Sequence, residues 1–215
     1  MRAAVWVVLL GCTSARAGMF GRASDAPLTE AERQLAAAEH VRISDEIVLN
    51  VERQRWSAVE RSFQELAKRG LEPTRQDYVH ASTASRALGD MQAAHDRLRL
   101  ATAGDEPPRQ LVEQLRAIDA NFGSVELVAH GAKNTELVPE EMPFDVDQRT
   151  AVQTAAQRVA KEGRYTGMLP RGGYVFAGQS FKVEPGYTLR IEVSPRMKRT
   201  QGVVVPAGTT AGPAR

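Results

Sequence analysis

A helix-length stretch of this sequence repeats at an interval of 35 residues, and that repetition constrains the fold more than any other feature. Sliding 91–101 back by 35 places Met91 on Trp56, Ala93 on Ala58, Ala94 on Val59, Leu98 on Phe63 and Ala101 on Leu66. Trp56, Val59, Phe63 and Leu66 recur at intervals of three and four, which puts them on one face of a helix. Self-similarity at this period is the mark of stacked helical hairpins, each unable to bury its apolar face alone. A scaffold of that kind offers a surface to a partner and needs no chemistry of its own.

The flanking signals define the hairpins. Leu28-Thr29-Glu30-Ala31-Glu32 carries a Thr followed three residues later by Glu, the pattern of a capped helix start. Leu35, Ala38 and Val41 continue a helical stripe, and Ile43, Ile47, Val48 and Val51 suit the first arm of a hairpin. Gly70 behind Lys68-Arg69 reads as a helix stop. Tyr78, Ala81, Ala84 and Ala87-Leu88 make a further arm, Gly89-Asp90 the turn, and Met91 to Ala101 its partner. Pro107-Pro108 belongs at a break or in a first helical turn, before a short helix with Leu111, Leu115 and Ile118. Helices around 29–40 and 108–119 are expected to cap the stack.

The run Tyr78 … Ala87-Leu88-Gly89-Asp90-Met91-Gln92-Ala93-Ala94 … Leu98 … Ala101 resembles a tetratricopeptide repeat. In that family small residues on the second helix let the first pack closely, and Ala94 and Ala101 occupy those positions. The first copy departs from the pattern, with Val59 and Leu66 at the small positions and Gln54-Arg55 at the turn. The resemblance implies protein or peptide binding in a groove lined by the first helix of each hairpin, here Arg75, Gln76, Tyr78, Ser82 and Ser85. For Tyr78 a packing role is the better reading.

The chain opens as an export signal does. Met1-Arg2 is positive, and 3–10 is an apolar run far short of the roughly 20 residues that cross a bilayer. Leu9-Leu10-Gly11-Cys12 resembles a bacterial lipobox, which implies that Cys12 is lipidated. Ala15-Arg16-Ala17 offers the alternative of an ordinary cleavage site and a soluble periplasmic product. In the lipoprotein families this resembles, a residue such as Thr13 behind the Cys, rather than Asp, implies the outer membrane, here its periplasmic face. The expected organisation is a signal over 1–17, a tether over 18–27, a tetratricopeptide-like domain over 28–120, a β domain over 121–195 and a disordered tail over 196–215.

Composition changes after Phe122-Gly123. Val125, Leu127 and Ala129 alternate with polar residues as a half-buried strand does. Ala151-Val152, Ala155-Ala156 and Val159 predict a helix that Gly163 stops. Short apolar runs at 168–169, 174–176, 181–183 and 189–193 are separated by Arg171-Gly172-Gly173, Gly178-Gln179 and Pro185-Gly186. That spacing predicts a small antiparallel sandwich with an inserted helix, so the whole is α+β. Leu169-Pro170-Arg171-Gly172-Gly173-Tyr174 with Pro185-Gly186 before the last run resembles the end of a PEGA-type surface domain. The helix around 148–162 stands where that family has a short hairpin.

No motif for catalysis, nucleotide or cofactor binding occurs, so the reading is a non-enzyme without cofactors. The single cysteine precludes an internal disulfide, and a net charge of +2 gives no reason to expect nucleic acid. His40, His80, His95 and His130 are scattered, and a metal pair from His80 and His95 would want a third ligand. Glu140, Glu141, Asp145 and Asp147 cluster without the glycine spacing of a calcium loop and read as a solvated acidic loop. The chain is therefore expected to be an envelope scaffold with a protein or peptide partner and a lipid-mediated membrane contact. The alternative is a binder of peptidoglycan or polysaccharide, with Tyr165, Tyr174, Phe176 and Tyr187 stacking on sugar rings.

Overall fold

A computed structural model describes residues 29–104, 106–131 and 135–194 and the backbone of 203–206. The signal, Cys12 and the 18–27 tether lie outside the described residues. Five helices lead: α1 (Glu30–Glu52), α2 (Trp56–Lys68), α3 (Arg75–Ala87), α4 (Met91–Ala101) and α5 (Arg109–Asn121). Then come β1 (Phe122–Ala129), β2 (Leu137–Pro139), α6 (Val146–Glu162), β3 (Arg164–Pro170), β4 (Gly172–Phe176), β5 (Gln179–Val183), β6 (Tyr187–Val193) and β7 (Val203–Pro206).

The 35-residue offset is geometric. Helices α2 and α4 start 35 residues apart, at Trp56 and Met91, and α1 and α3 end 35 apart, at Glu52 and Ala87. The two turns match bond for bond. Arg55 N donates to Asn50 O and Asp90 N to Ser85 O, each at 2.8 Å, while Gln54 N reaches Val51 O at 2.9 Å and Gly89 N reaches Arg86 O at 3.0 Å. Both turns need one residue in the left-handed region. Gly89 takes φ +76° at little cost, whereas Gln54 holds φ +53° with a Cβ.

Capping defines the helix starts. Thr29 with Glu32 and Thr74 with Asp77 form complete capping boxes, and Asp90 and Asp145 accept from the third backbone N–H beyond them. One expectation fails here. The helix at 29–40 is not a separate cap, because nothing between His40 and Ile43 breaks it, and α1 runs unbroken for 23 residues. Its first ten residues have no counterpart in α3.

Two apolar clusters lie within the halves and a third joins them. Ile43 and Ile47 of α1 pack with Val59, Phe63 and Leu66 of α2 and Ala81 and Ala84 of α3. Val125 and Leu127 of β1 pack with Val152, Ala155 and Val159 of α6 and with Tyr174, Phe176 and Ile191. The third takes Met91 and Leu98 from α4, Ile118 from α5, Phe122 and Met168 from the strands, and Ala151 from α6.

The strands form two small, mostly antiparallel sheets. One has the order β3-β1-β6-β7 and the other β2-β4-β5. The expectation of a wholly antiparallel sandwich is corrected at its centre, where β1 pairs with β6 in parallel, Ser124 opposite Thr188 through Ala129 opposite Val193. The connection between them carries α6 and the second sheet, a crossover long enough for parallel pairing. The tail also departs from expectation. Residues 203–206 add an antiparallel edge strand to β6, with Val205 opposite Thr188, as a run of three β-branched residues favours.

Candidate interaction surface

Helix α3 packs against α1, α2 and α4, and this determines what its predicted binding residues can do. Ser82 is buried, and its hydroxyl donates to Ala94 O at 2.9 Å. Ser85 is buried, and Arg97 Nη1 donates to its Oγ at 2.6 Å. Tyr78 packs edge-on against Phe63, with ring centroids 5.6 Å apart. Arg75 and Gln76 remain exposed on the first turn, where Gln76 bonds His80 at 2.9 Å. The five residues therefore do not line an open groove. Residues 78, 82 and 85 fall at i, i+4 and i+7, the face turned into the stack. The 35-residue offset carried a signal to this effect: shifted back, Tyr78, Ser82 and Ser85 coincide with Ile43, Ile47 and Asn50, all buried in α1.

Arg97 of α4 ties the hairpins together. Its Nη2 reaches Glu60 Oε1 of α2 at 2.7 Å, its Nη1 reaches Ala81 O at 3.1 Å, and its guanidinium lies 4.6 Å from the Phe63 ring centroid. The bonded guanidinium holds the Glu60 carboxyl below the usual glutamate range. Nothing in the motifs announced this residue.

The turn between α3 and α4 is the hinge of contact with the β half. Thr154 Oγ1 of α6 donates to Leu88 O at 3.1 Å, and Arg158 pairs with Asp90 at 2.7 Å. Arg86 pairs with Asp147. A Cβ at Gly89 would stand 2.5 Å from Thr154 Oγ1 and 2.6 Å from Thr150 O, so the turn sits directly on the α6 backbone. Beside this contact a crevice of about 240 Å³ is floored by Met91, Ile118 and Phe122 and edged by the Arg86–Asp147 pair.

The other candidate groups have structural employment. His80 bonds Gln76 and His95 bonds Asp119 at 2.9 Å, so the two do not form a pair. Among the described residues no group of three or more His, Cys, Asp or Glu side chains is placed to hold a metal ion. Of the acidic loop, Glu140 N donates to Gly173 O at 2.9 Å, Asp145 caps α6 and Asp147 meets Arg86. Three of the four aromatics named for sugar stacking take the packing role such residues more often have. Tyr165, Tyr174 and Phe176 are in the β core, and burial raises the phenol pKa of both tyrosines; only Tyr187, 46% exposed, faces solvent.

What stays open is apolar and lies elsewhere. Leu35, Val41, Val48 and Leu49 are exposed on α1, with Val41 and Val48 turned away from the buried Ile43 and Ile47. Met142, Phe144 and Val146 are exposed on the segment leading from β2 into α6. No helix among the described residues is long and apolar enough to cross a membrane. Comparisons with protein-family models, with curated proteins and with solved structures find no match to this chain. The resemblances to tetratricopeptide and PEGA domains rest on the residues quoted for them.

Proposed function

We propose that this chain is an envelope lipoprotein that docks another protein through its helical hairpins. In this reading Cys12 carries the acyl anchor, the 18–27 segment is a tether, and the hairpins are a non-catalytic platform at the periplasmic face of the outer membrane. The observation that carries the reading is the free side of α1. Leu35, Val41, Val48 and Leu49 are 71%, 57%, 40% and 43% exposed on the first helix of the stack. An apolar side left uncovered on a helix of a stack offers a partner helix a surface to pack on. Ser82 and Ser85 of α3 are spent on internal bonds and Tyr78 on packing, so in this reading the α1 side takes their place as the binding surface.

The test is capture from detergent-solubilised envelopes with the full chain and with V41E/V48E. Both positions are solvent-exposed, so folding is preserved. A protein partner held stoichiometrically by the wild type and lost from the variant is the expected result. Retention on isolated cell wall with no protein partner would overturn the reading in favour of polysaccharide binding. Replacing Cys12 with Ala is expected to release the chain from membranes.

A further inference from the structure

Of the four aromatics with a shape suited to sugar rings, Tyr187 alone is open to solvent, and its surroundings differ from the α3 face. It opens β6, directly behind the Pro185-Gly186 turn, with Lys182, Val183 and Glu184 on the turn's other side. The chain leading into the turn is seated on β1. A Cβ at Gly123 would stand 2.5 Å from Glu184 O, so glycine is what allows the close approach. The backbone beside the ring is thus positioned before any ligand arrives, which limits the ordering entropy of binding.

Two adjoining depressions have Tyr187, Lys182, Val183 and Glu184 in their walls. One, of about 180 Å³, reaches Ser124 of β1. The other, of about 480 Å³, reaches Arg171 ahead of β4 and falls in the range of roughly 300–1,000 Å³ usual for small-ligand sites. On α3 the hydroxyls of Ser82 and Ser85 are consumed by internal bonds. Here the hydroxyls of Ser124 and Tyr187 and the guanidinium of Arg171 make no hydrogen bond or ion pair among the described residues. Lys182 and Glu184 pair at 3.1 Å and cancel in charge, which leaves Arg171 as the uncompensated cation of the lining.

A pyranose ring has a face of C–H groups and a rim of hydroxyls. Tyrosine offers a flat apolar ring with a polar tip. A carboxylate accepts from hydroxyls, an ammonium donates to them, and a serine does either. A free guanidinium matches a carboxylate. We infer that this depression binds a glycan bearing carboxylates. One ring stacks on Tyr187, its hydroxyls bond Glu184, Lys182 and Ser124, and a uronate carboxylate meets Arg171. The site shares no residue with the α1 face.

The test is calorimetric titration of the full chain with two soluble probes. One is a hyaluronan hexasaccharide, in which glucuronate alternates with N-acetylglucosamine; the other is the neutral chitohexaose. The wild type is expected to bind the hyaluronan probe at least about tenfold more tightly, by a margin that shrinks at high salt. Y187A is expected to weaken both at least about tenfold, as loss of an aromatic anchor does. R171Q is expected to remove the advantage of the acidic probe and leave chitohexaose where it was. Both side chains are exposed, and an unchanged thermal melt checks that the variants fold. V41E/V48E is expected to bind both probes as the wild type does, so failure of the α1 reading and failure of this one are read separately. Absence of binding to either probe at millimolar concentration overturns the proposal, as does wild-type affinity in Y187A. Equal affinity for the two probes, unmoved by R171Q, overturns the assignment of an acidic glycan.

Discussion

Arg97 and Glu60 lie 37 residues apart and meet across the two hairpins, Nη2 to Oε1 at 2.7 Å, with both side chains mostly shielded from water. Glu60 belongs to the first hairpin and Arg97 to the second. The same guanidinium also bonds the Ala81 carbonyl and the Ser85 hydroxyl of α3. One side chain thus bridges α2, α3 and α4.

Glu60→Gln is expected to cost about 1–3 kcal/mol at pH 7, the range for a charge-assisted bond removed from a partly buried site. Arg97 holds the folded-state carboxyl below its ordinary value of 4.5. The folded chain therefore binds fewer protons than the unfolded one in that window. The pair's contribution is whole above pH 4.5 and is lost as pH falls below it through the folded value. Urea unfolding of wild type and variant across pH is expected to show a gap that closes on acidification; a gap independent of pH would refute the assignment.

Helix α2, helix α4 and the turn at Gly89 were legible because apolar spacing and glycine are local signals. The apolar runs 168–169, 174–176, 181–183 and 189–193 were legible for the same reason, cut apart by Gly172, Gly178 and Gly186, and each lies inside a longer strand, the first of which starts at Arg164. The parallel pairing of β1 with β6 was not, because Val125 meets Leu189 across 64 residues and no local pattern encodes that choice. Ser82 and Ser85 misled because a small polar residue does not announce burial; its partners, Ala94 O and Arg97, are on another helix. The exposed α1 face and the Phe144 segment were present in the sequence as apolar residues, but only the packing shows which ones are left uncovered.

Ser82→Ala is expected to lower stability by about 1 kcal/mol through loss of the bond to Ala94 O, and to leave partner capture unchanged. Denaturant midpoints and the envelope pull-down read the two effects separately. Lost capture with unchanged stability would return the α3 face to a binding role.

Tyr174 OH donates to Pro170 O at 2.9 Å inside the β core. Tyr174→Phe keeps the ring and removes that bond, at an expected cost of about 1 kcal/mol. Burial raises the phenol pKa of Tyr174 and Tyr165 above the ordinary 10.0. Their contribution is present below pH 10 and lost as pH rises beyond it, since the unfolded chain releases those protons first. Phenolate absorbance from these two residues is expected to appear together with unfolding; earlier ionisation would show that they are not sealed.

The two hairpin turns allow one substitution to be tested with opposite signs. At Gly89 the φ of +76° is natural for glycine, and a Cβ would strike Thr154 Oγ1 and the Thr150 carbonyl of α6. Gly89→Ala is expected to cost about 2–4 kcal/mol, combining backbone strain with overpacking at the junction of the halves. Gln54 occupies the equivalent position of the first turn at φ +53°. Gln54→Gly is expected to gain about 0.5–1 kcal/mol, the left-handed penalty of a Cβ less the added freedom of the unfolded chain. Thermal or urea unfolding of both variants decides the matter. Equal and small effects would mean that the turns are not equivalent and that the 35-residue repeat is a likeness of helices, not of hairpins.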